Sequence, residues 1–478
     1  MAAAAGATAG RAARAVATAS HEGGFRAALF RNRRLGVEGV IIVCVLALGA
    51  FLIYHFFVKH IRNTRPVGGA VVLVTHGHVA SENETSFAVD STNARVLFGG
   101  SNELRAYTSR DGGRTWTSDD GPSFPPGTCA HGEPKAASAG GREVIAFLVG
   151  TPCGDQITPY LAVTSRAGPG GRWSALHRVA PAGWKYGFDD APAIAAAPRG
   201  GDLYLSWTRS LSNTRAGVVV SRSTDAGRTW SAPIVVAQPA DQPHLSTIAV
   251  APNGTVYVAG IDAAHGLWIA QSRDDGRSFS APRQVGRLLA NPSATCASAA
   301  TQPLPREETS CIGPDPTLLA TNHGAFIVYD DVGLNRTQDV MIAAVDSKLH
   351  TRSVLTVTPP DRGKTAQFFP TAALDPQTGV LWACWYDTTF DPNNHRAWFT
   401  CSVSHDGRRW SSPERAAAEP TQVADLYTDL GQSNGFAPSL VAADGVGHPF
   451  WIDISSRSYT QEIATASLPE RAAFAVAP

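Results

Sequence analysis

Between residues 66 and 478 the chain alternates short apolar runs with clusters of Gly, Asn, Asp and Pro. Runs of roughly four to eight residues rich in Val, Ile, Tyr and Trp read as strands rather than helices. A fixed order recurs: an apolar strand, a tight turn, a second strand, then a third strand running into another turn. First strands are expected near Ser86, Ala136, Ala193, Ser246, Thr317, Thr371 and Ser439. Second strands include Val96–Gly99, Val144–Val149, Leu203–Trp207 and Leu381–Tyr386, and turns include Pro252-Asn-Gly254 and Asp444-Gly445. This predicts seven units of about 50–70 residues. The seventh shows only three strands. The apolar run Ala70–Val74, ahead of the first unit, is placed to supply the fourth and close the ring, which would leave few exposed edges.

One phrase punctuates the third strands. It reads Ser109, Asp111, Gly113, Thr115, Trp116; then Ser223, Asp225, Gly227, Thr229, Trp230; then Ser272, Asp274, Gly276, Ser278, Phe279. A shortened copy has Ser404, Asp406, Gly407 and Trp410, and a copy without its Asp runs from Ser165 to Trp173. Ser and Asp accept hydrogen bonds from turn N–H groups, Gly takes positive φ, and the aromatic residue anchors the next strand between packed sheets. The phrase resembles the Asp box, or bacterial neuraminidase repeat, of the sialidase-like β-propeller superfamily. The likeness extends to membrane-anchored bacterial proteins labelled exo-α-sialidase, through Asn83-Glu84-Thr85-Ser86, Asp190-Ala191-Pro192 and Trp385-Tyr386-Asp387. It implies an all-β fold, a sialidase-like β-propeller of seven blades (six is the alternative), in which the boxes are structural.

Composition changes the picture only near the N-terminus. Residues 1–35 are Ala- and Arg-rich and read as a disordered cytoplasmic tail. Gly39–Val58 carries no formal charge, and at about 1.5 Å per residue it is long enough to cross a bilayer. Arg11, Arg14, Arg26, Arg31, Arg33 and Arg34 precede it, which favours a cytoplasmic N-terminus and an extracytoplasmic remainder. The expected layout is a transmembrane helix over 36–60, a linker with the ring-closing strand over 61–80, the propeller over 81–470 and a tail over 471–478. Apart from Cys44 in the span, six cysteines form close pairs suited to an oxidising compartment: Cys129 with Cys153, Cys296 with Cys311, and Cys384 with Cys401. With 40 basic and 40 acidic side chains there is no excess to neutralise phosphates, so no nucleic-acid partner is expected. No cofactor and no metal site is expected either.

In a propeller, loops entering the first strands and leaving the second ones build the functional face. Here these positions are acidic. Glu84, Glu133, Asp190, His244, Asp315, Asp387 and Asp453, with Arg209, are the candidate binding residues. Such a lining suits sugar hydroxyls, a cation or a cationic ligand. Each Asp also has a plain alternative, ending a strand by bonding to its own turn. The resemblance implies a second function, glycoside hydrolysis. Sialidases clamp a carboxylate with three arginines, the first in an Arg-Ile-Pro phrase before blade 1, and use a Tyr nucleophile. This chain has no Arg-Ile-Pro, and residues 79–90 contain no arginine; Arg209, Arg336 and Arg396 are the remaining candidates. Asp190, Asp315 and Asp387 are the carboxylates that would serve a hydrolase. The preferred reading is a membrane-anchored surface propeller binding a glycan or an envelope or protein partner. An assembly or scaffold role for a membrane complex is the third.

Overall fold

The computed structural model describes residues 71–75, 84–102, 104–153, 158–179, 189–212, 215–241, 244–261, 266–289, 316–332, 338–359, 365–391, 393, 395–422, 438–454 and 461–470. The apolar segment Gly39–Val58, the Cys296 and Cys311 pair and Asp315 lie outside these residues. Among the described residues no helix is long and apolar enough to cross a membrane.

Seven antiparallel sheets of four strands or more make up the described chain. Their first strands are Ser86–Asp90, Lys135–Ala139, Asp189–Ala196, His244–Val250, Thr317–Thr321, Gln367–Leu374 and Ser439–Ala443. Each first strand packs against the next, and the last packs against the first, so the sheets form a closed seven-bladed propeller. In the seventh blade, Val72–Leu73 pairs with Glu462–Thr465, Val72 opposite Thr465. A strand from before blade 1 thus completes blade 7 as its outermost strand.

Local pattern explains the sheets. Second strands are almost wholly buried, because both their faces meet neighbouring blades; Leu381–Asp387 and Val256–Ile261 show no exposed position. Aromatic side chains fill the wedges between blades. Phe87 of blade 1 stacks on Phe450 of blade 7 at 3.8 Å between ring centroids, and Trp116 stands edge-on to both. Between blades 1 and 2, the buried Arg166 binds Glu143, Asp119 and Thr108, so that the two sheets share one guanidinium.

The repeated phrase builds one turn geometry. Ser109 donates to Asp111 at 2.9 Å, and the Gly113 N–H donates to Ser109 at 2.9 Å. Asp111 accepts the N–H groups of Arg114 and Thr115 and the Thr115 hydroxyl, at 3.0, 2.9 and 2.7 Å. Asp225 and Asp274 hold Thr229 and Ser278 in the same way, each by one N–H and one hydroxyl. In the shortened copy Asp406 accepts the N–H groups of Arg408 and Arg409, both at 2.8 Å. The glycine is needed twice over: Gly276 has φ of 75°, and a Cβ there would lie 2.7 Å from Tyr204 of the preceding blade.

Three findings differ from the sequence expectations. First strands of blades 3 and 6 begin at Asp189 and Gln367, four residues before the expected starts, because their registers slip around Ala191 and Phe369. Both residues have positive φ, 46° and 49°, which lets the strand bulge and resume pairing. Blade 5, which has no copy of the phrase, still has an aspartate-stapled turn: Asp346 accepts N–H groups from Lys348 and His350 at 2.9 Å, and Leu349 takes the positive φ. The third concerns the cysteines. Cys384 and Cys401 lie opposite one another on adjacent strands and are disulfide-bonded. Cys129 and Cys153, expected as a second disulfide, are unjoined thiols, near enough for Cys129 to raise the Cys153 thiol.

Candidate functional site

Where the first strands begin, they surround a cavity of about 280 Å³ along the ring centre. Hydroxyls and methyls line most of it, including Ser246, Thr247, Thr317 and Thr371. Glu84, Glu133 and Lys135 supply its charge. Asp190 sits beside Ala191, which also lines it, and is close enough to act electrostatically on both glutamates.

The backbone that places these carboxylates is unusual. Glu84 and Glu133 both have φ of 53°, the left-handed conformation that non-glycine residues rarely adopt. An interblade bond joins the two. The Glu133 N–H of blade 2 donates to the Glu84 carboxylate of blade 1 at 2.6 Å. The Glu133 carboxylate in turn lies near the backbone N–H of Ala191 of blade 3, the next left-handed residue. Blades 5 and 6 repeat the device, the Phe369 N–H donating to Asp330 at 3.3 Å. The site is therefore assembled by ring closure itself, through strained positions held by neighbours.

Its electrostatics follow from crowding. Burial raises Glu84 above the usual carboxylate range, despite the Glu133 N–H and the nearby Lys135 and His131. Burial, then the charges of Asp190 and Glu84, push Glu133 up to about 8. Asp190 is raised by burial as well. One Glu133 oxygen, Oε2, is buried with no hydrogen-bond partner. Three carboxylates thus share a half-enclosed mouth with one lysine, and at neutral pH Glu133 keeps its proton.

Among the described residues, Asp387, Arg209 and Asp453 do not line this cavity. Asp387 is 3% exposed and accepts Thr389 N–H at 2.9 Å, Gln367 Nε2 at 3.2 Å and Trp385 Nε1 at 3.4 Å. It ends its own strand and does not line the cavity, whereas Asp190 stands close to Glu84 and Glu133. Arg209 is buried and paired with Asp189 at 2.8 Å, which also takes Trp207 Nε1 at 2.9 Å. Asp453 lies opposite Glu462 at the end of a blade 7 strand. His244 opens the first strand of blade 4; its side chain and Asp315 lie outside the described residues. Arg396 bonds Asp391 on the blade 6 loop, and no arginine lines the cavity among the described residues. No group of three or more His, Cys, Asp or Glu among the described residues is placed to hold a metal ion.

No family model matches the chain, and no curated protein matches it. Solved structures do. A protein of unknown function from Dyadobacter fermentans aligns at 13% identity and TM-score 0.44, over 85% of this chain and 98% of its own. The Hadza microbial sialidase Hz136 aligns at 12% and 0.41, over 79% and 74%. Trypanosoma rangeli sialidase aligns at 11% and 0.44, over 84% of this chain and 60% of its own. The propeller assignment stands on this chain's own strand pairings.

Proposed function

We propose that the chain is a membrane-anchored, extracytoplasmic β-propeller that binds a glycan or an envelope protein at the mouth of its central cavity. The observation that carries this is the convergence of Glu84, Glu133 and Asp190, with a single lysine, on a cavity of about 280 Å³. Carboxylates left short of donors favour a ligand that brings them: the hydroxyls and amine of an amino sugar, or the ammonium of a basic peptide segment. A cavity with no arginine in its described lining gives an acidic sugar nothing to pair with. The uncharged stretch Gly39–Val58 and the arginines before it support the anchored placement. Binding to a panel of immobilised amino sugars, neutral sugars and sialosides tests the proposal. Retention of amino sugars, lost with Glu133→Gln, supports it; retention of sialosides alone overturns it.

One observation favours a second reading, a glycoside hydrolase. A carboxyl that stays protonated at neutral pH, as Glu133 does, can act as a general acid beside an ionised partner. Release of fluorophore from a glycoside panel, lost with Glu133→Gln or Asp190→Asn, would establish turnover in place of simple binding. A scaffold role predicts neither binding nor turnover of small sugars.

A further inference from the structure

We propose that Cys129 and Cys153 are a redox-active thiol pair whose oxidation straps the Glu133 segment to the second strand of blade 2. Two residues, Cys129–Ala130, pair with Gly150 and Val149 at the end of Arg142–Thr151, outside the regular four-strand pattern of the blade. The ladder continues through His131 N–H to Leu148 O at 2.9 Å and Leu148 N–H to Gly132 O at 3.0 Å. Glu133 follows at once, with its left-handed backbone, and Lys135–Ala139 then resumes pairing with the same strand. The short Cys129–Gly132 ladder therefore fixes where Glu133 enters the cavity mouth.

Both thiols sit at the outer end of that ladder. Cys129 lies opposite Gly150, three positions before Cys153, and the Cys153 N–H donates to Gly127 O at 3.2 Å. The Cys129 thiol donates to Gly150 O at 3.9 Å, and Cys129 is near enough to raise the Cys153 thiol above its ordinary value. Cys153 is exposed and Cys129 partly so, whereas Cys384 and Cys401 are fully buried. Accessible sulfurs are the ones a thiolate or an oxidant reaches, so this pair exchanges and the buried one does not. The oxidant is a disulfide, such as oxidised glutathione or a thiol–disulfide oxidoreductase. The thiolate of one cysteine attacks it and forms a mixed disulfide, releasing one thiol. The other cysteine, losing its proton, displaces the second thiol as the Cys129–Cys153 bond forms. Two electrons and two protons leave the pair, and the oxidant departs as two thiols.

The test equilibrates the full chain with reduced and oxidised glutathione at about pH 8.5, where thiolates are populated. Iodoacetamide labelling, peptide mass spectrometry and amide hydrogen exchange follow. Expected are joint protection of Cys129 and Cys153, a cross-linked peptide lighter by two hydrogens, and roughly tenfold slower exchange at His131–Glu133. Cys384 and Cys401 stay protected throughout. In Cys129→Ser, and separately in Cys153→Ser, the remaining thiol takes up glutathione and exchange does not slow. Continued labelling of both cysteines in the oxidised buffer overturns the pair. A cross-link that leaves exchange at His131–Glu133 unchanged overturns the strap.

Discussion

Aspartates and glutamates are treated in opposite ways at the two ends of the ring. At the turns after the third strands, carboxylates are surrounded by donors. Burial would raise Asp111, but the Thr115 hydroxyl and N–H, the Ser109 hydroxyl and the Arg114 N–H outweigh it and hold it at about 2. Asp406, bonded first by the Arg409 N–H, is also at about 2, and Asp274 lies lower still. At the cavity mouth, burial dominates and Glu133 rises to about 8. One set of charges is satisfied by the chain itself; the other leaves an oxygen without a partner. The first kind of site holds a fold together, and the second kind is the one the proposed ligand would complete.

If that contrast is right, damage at the turns costs stability and spares binding, while damage at the mouth does the reverse. The largest effect is expected from Trp116→Ala. Trp116 is 7% exposed and packs edge-on against Phe87 and Phe450, where blades 1 and 7 meet. Its loss should destabilise by about 3–5 kcal/mol in denaturant unfolding. Sugar retention by the folded protein at low temperature should be unchanged; a lost affinity would mean that the two ends are coupled.

His448 probes the turn end by pH. It is 4% exposed, beside Gly113 and Ser467, and burial pushes it down to about 4. The unfolded chain takes up this proton near pH 6.5 and the folded one only near 4. Stability is therefore full above about pH 6.5 and falls progressively toward pH 4, by about 3 kcal/mol in all. A His448→Gln variant should lose that part of the slope. Unfolding midpoints measured between pH 7 and 4 decide it.

How much of this was legible in the sequence depends on the range of the interaction. The turns are local, so Ser109, Asp111 and Gly113 announced their own geometry. The ring-closing strand was visible as an unpaired apolar run, and Cys384 with Cys401 as opposed positions in a hairpin. Asp346 was missed because it staples its turn without the serine and glycine of the phrase, with Leu349 taking the positive φ instead. The cavity trio was only half visible. Asp387 and Asp190 read alike as acidic residues near strand ends, yet one is consumed by Thr389, Gln367 and Trp385 and the other acts electrostatically on two glutamates from other blades. Nothing in the spacing distinguishes them, because the distinction is made by blades that meet only in the closed ring.

The sharpest form of the comparison is a matched pair of isosteric changes, each replacing one carboxyl group by an amide. Glu133→Gln mimics the protonated state that burial already imposes. Wild-type Glu133 titrates near 4.5 when unfolded and near 8 when folded, so the wild type loses stability as pH rises between these values. The variant should match it below pH 4.5 and exceed it at pH 9 by about 5 kcal/mol, while amino-sugar retention is lost because an amide cannot ionise beside the ligand's ammonium. Asp225→Asn should behave oppositely and more weakly. Asp225 receives the Thr229 hydroxyl and N–H, the Ser223 hydroxyl and the Arg228 N–H, which together outweigh the effect of burial and lower it. Its stabilisation is present above the ordinary Asp range and fades as pH falls through the lowered folded value. The amide keeps an acceptor for the N–H groups but weakens the charge-assisted bonds, so about 1 kcal/mol should be lost at pH 7 and less in acid, with retention unchanged. Unfolding curves for both variants at pH 4, 7 and 9 separate the cases. If Glu133→Gln destabilises at pH 9 as Asp225→Asn does at pH 7, the mouth is a structural site like the turns, and the proposed ligand has no place there.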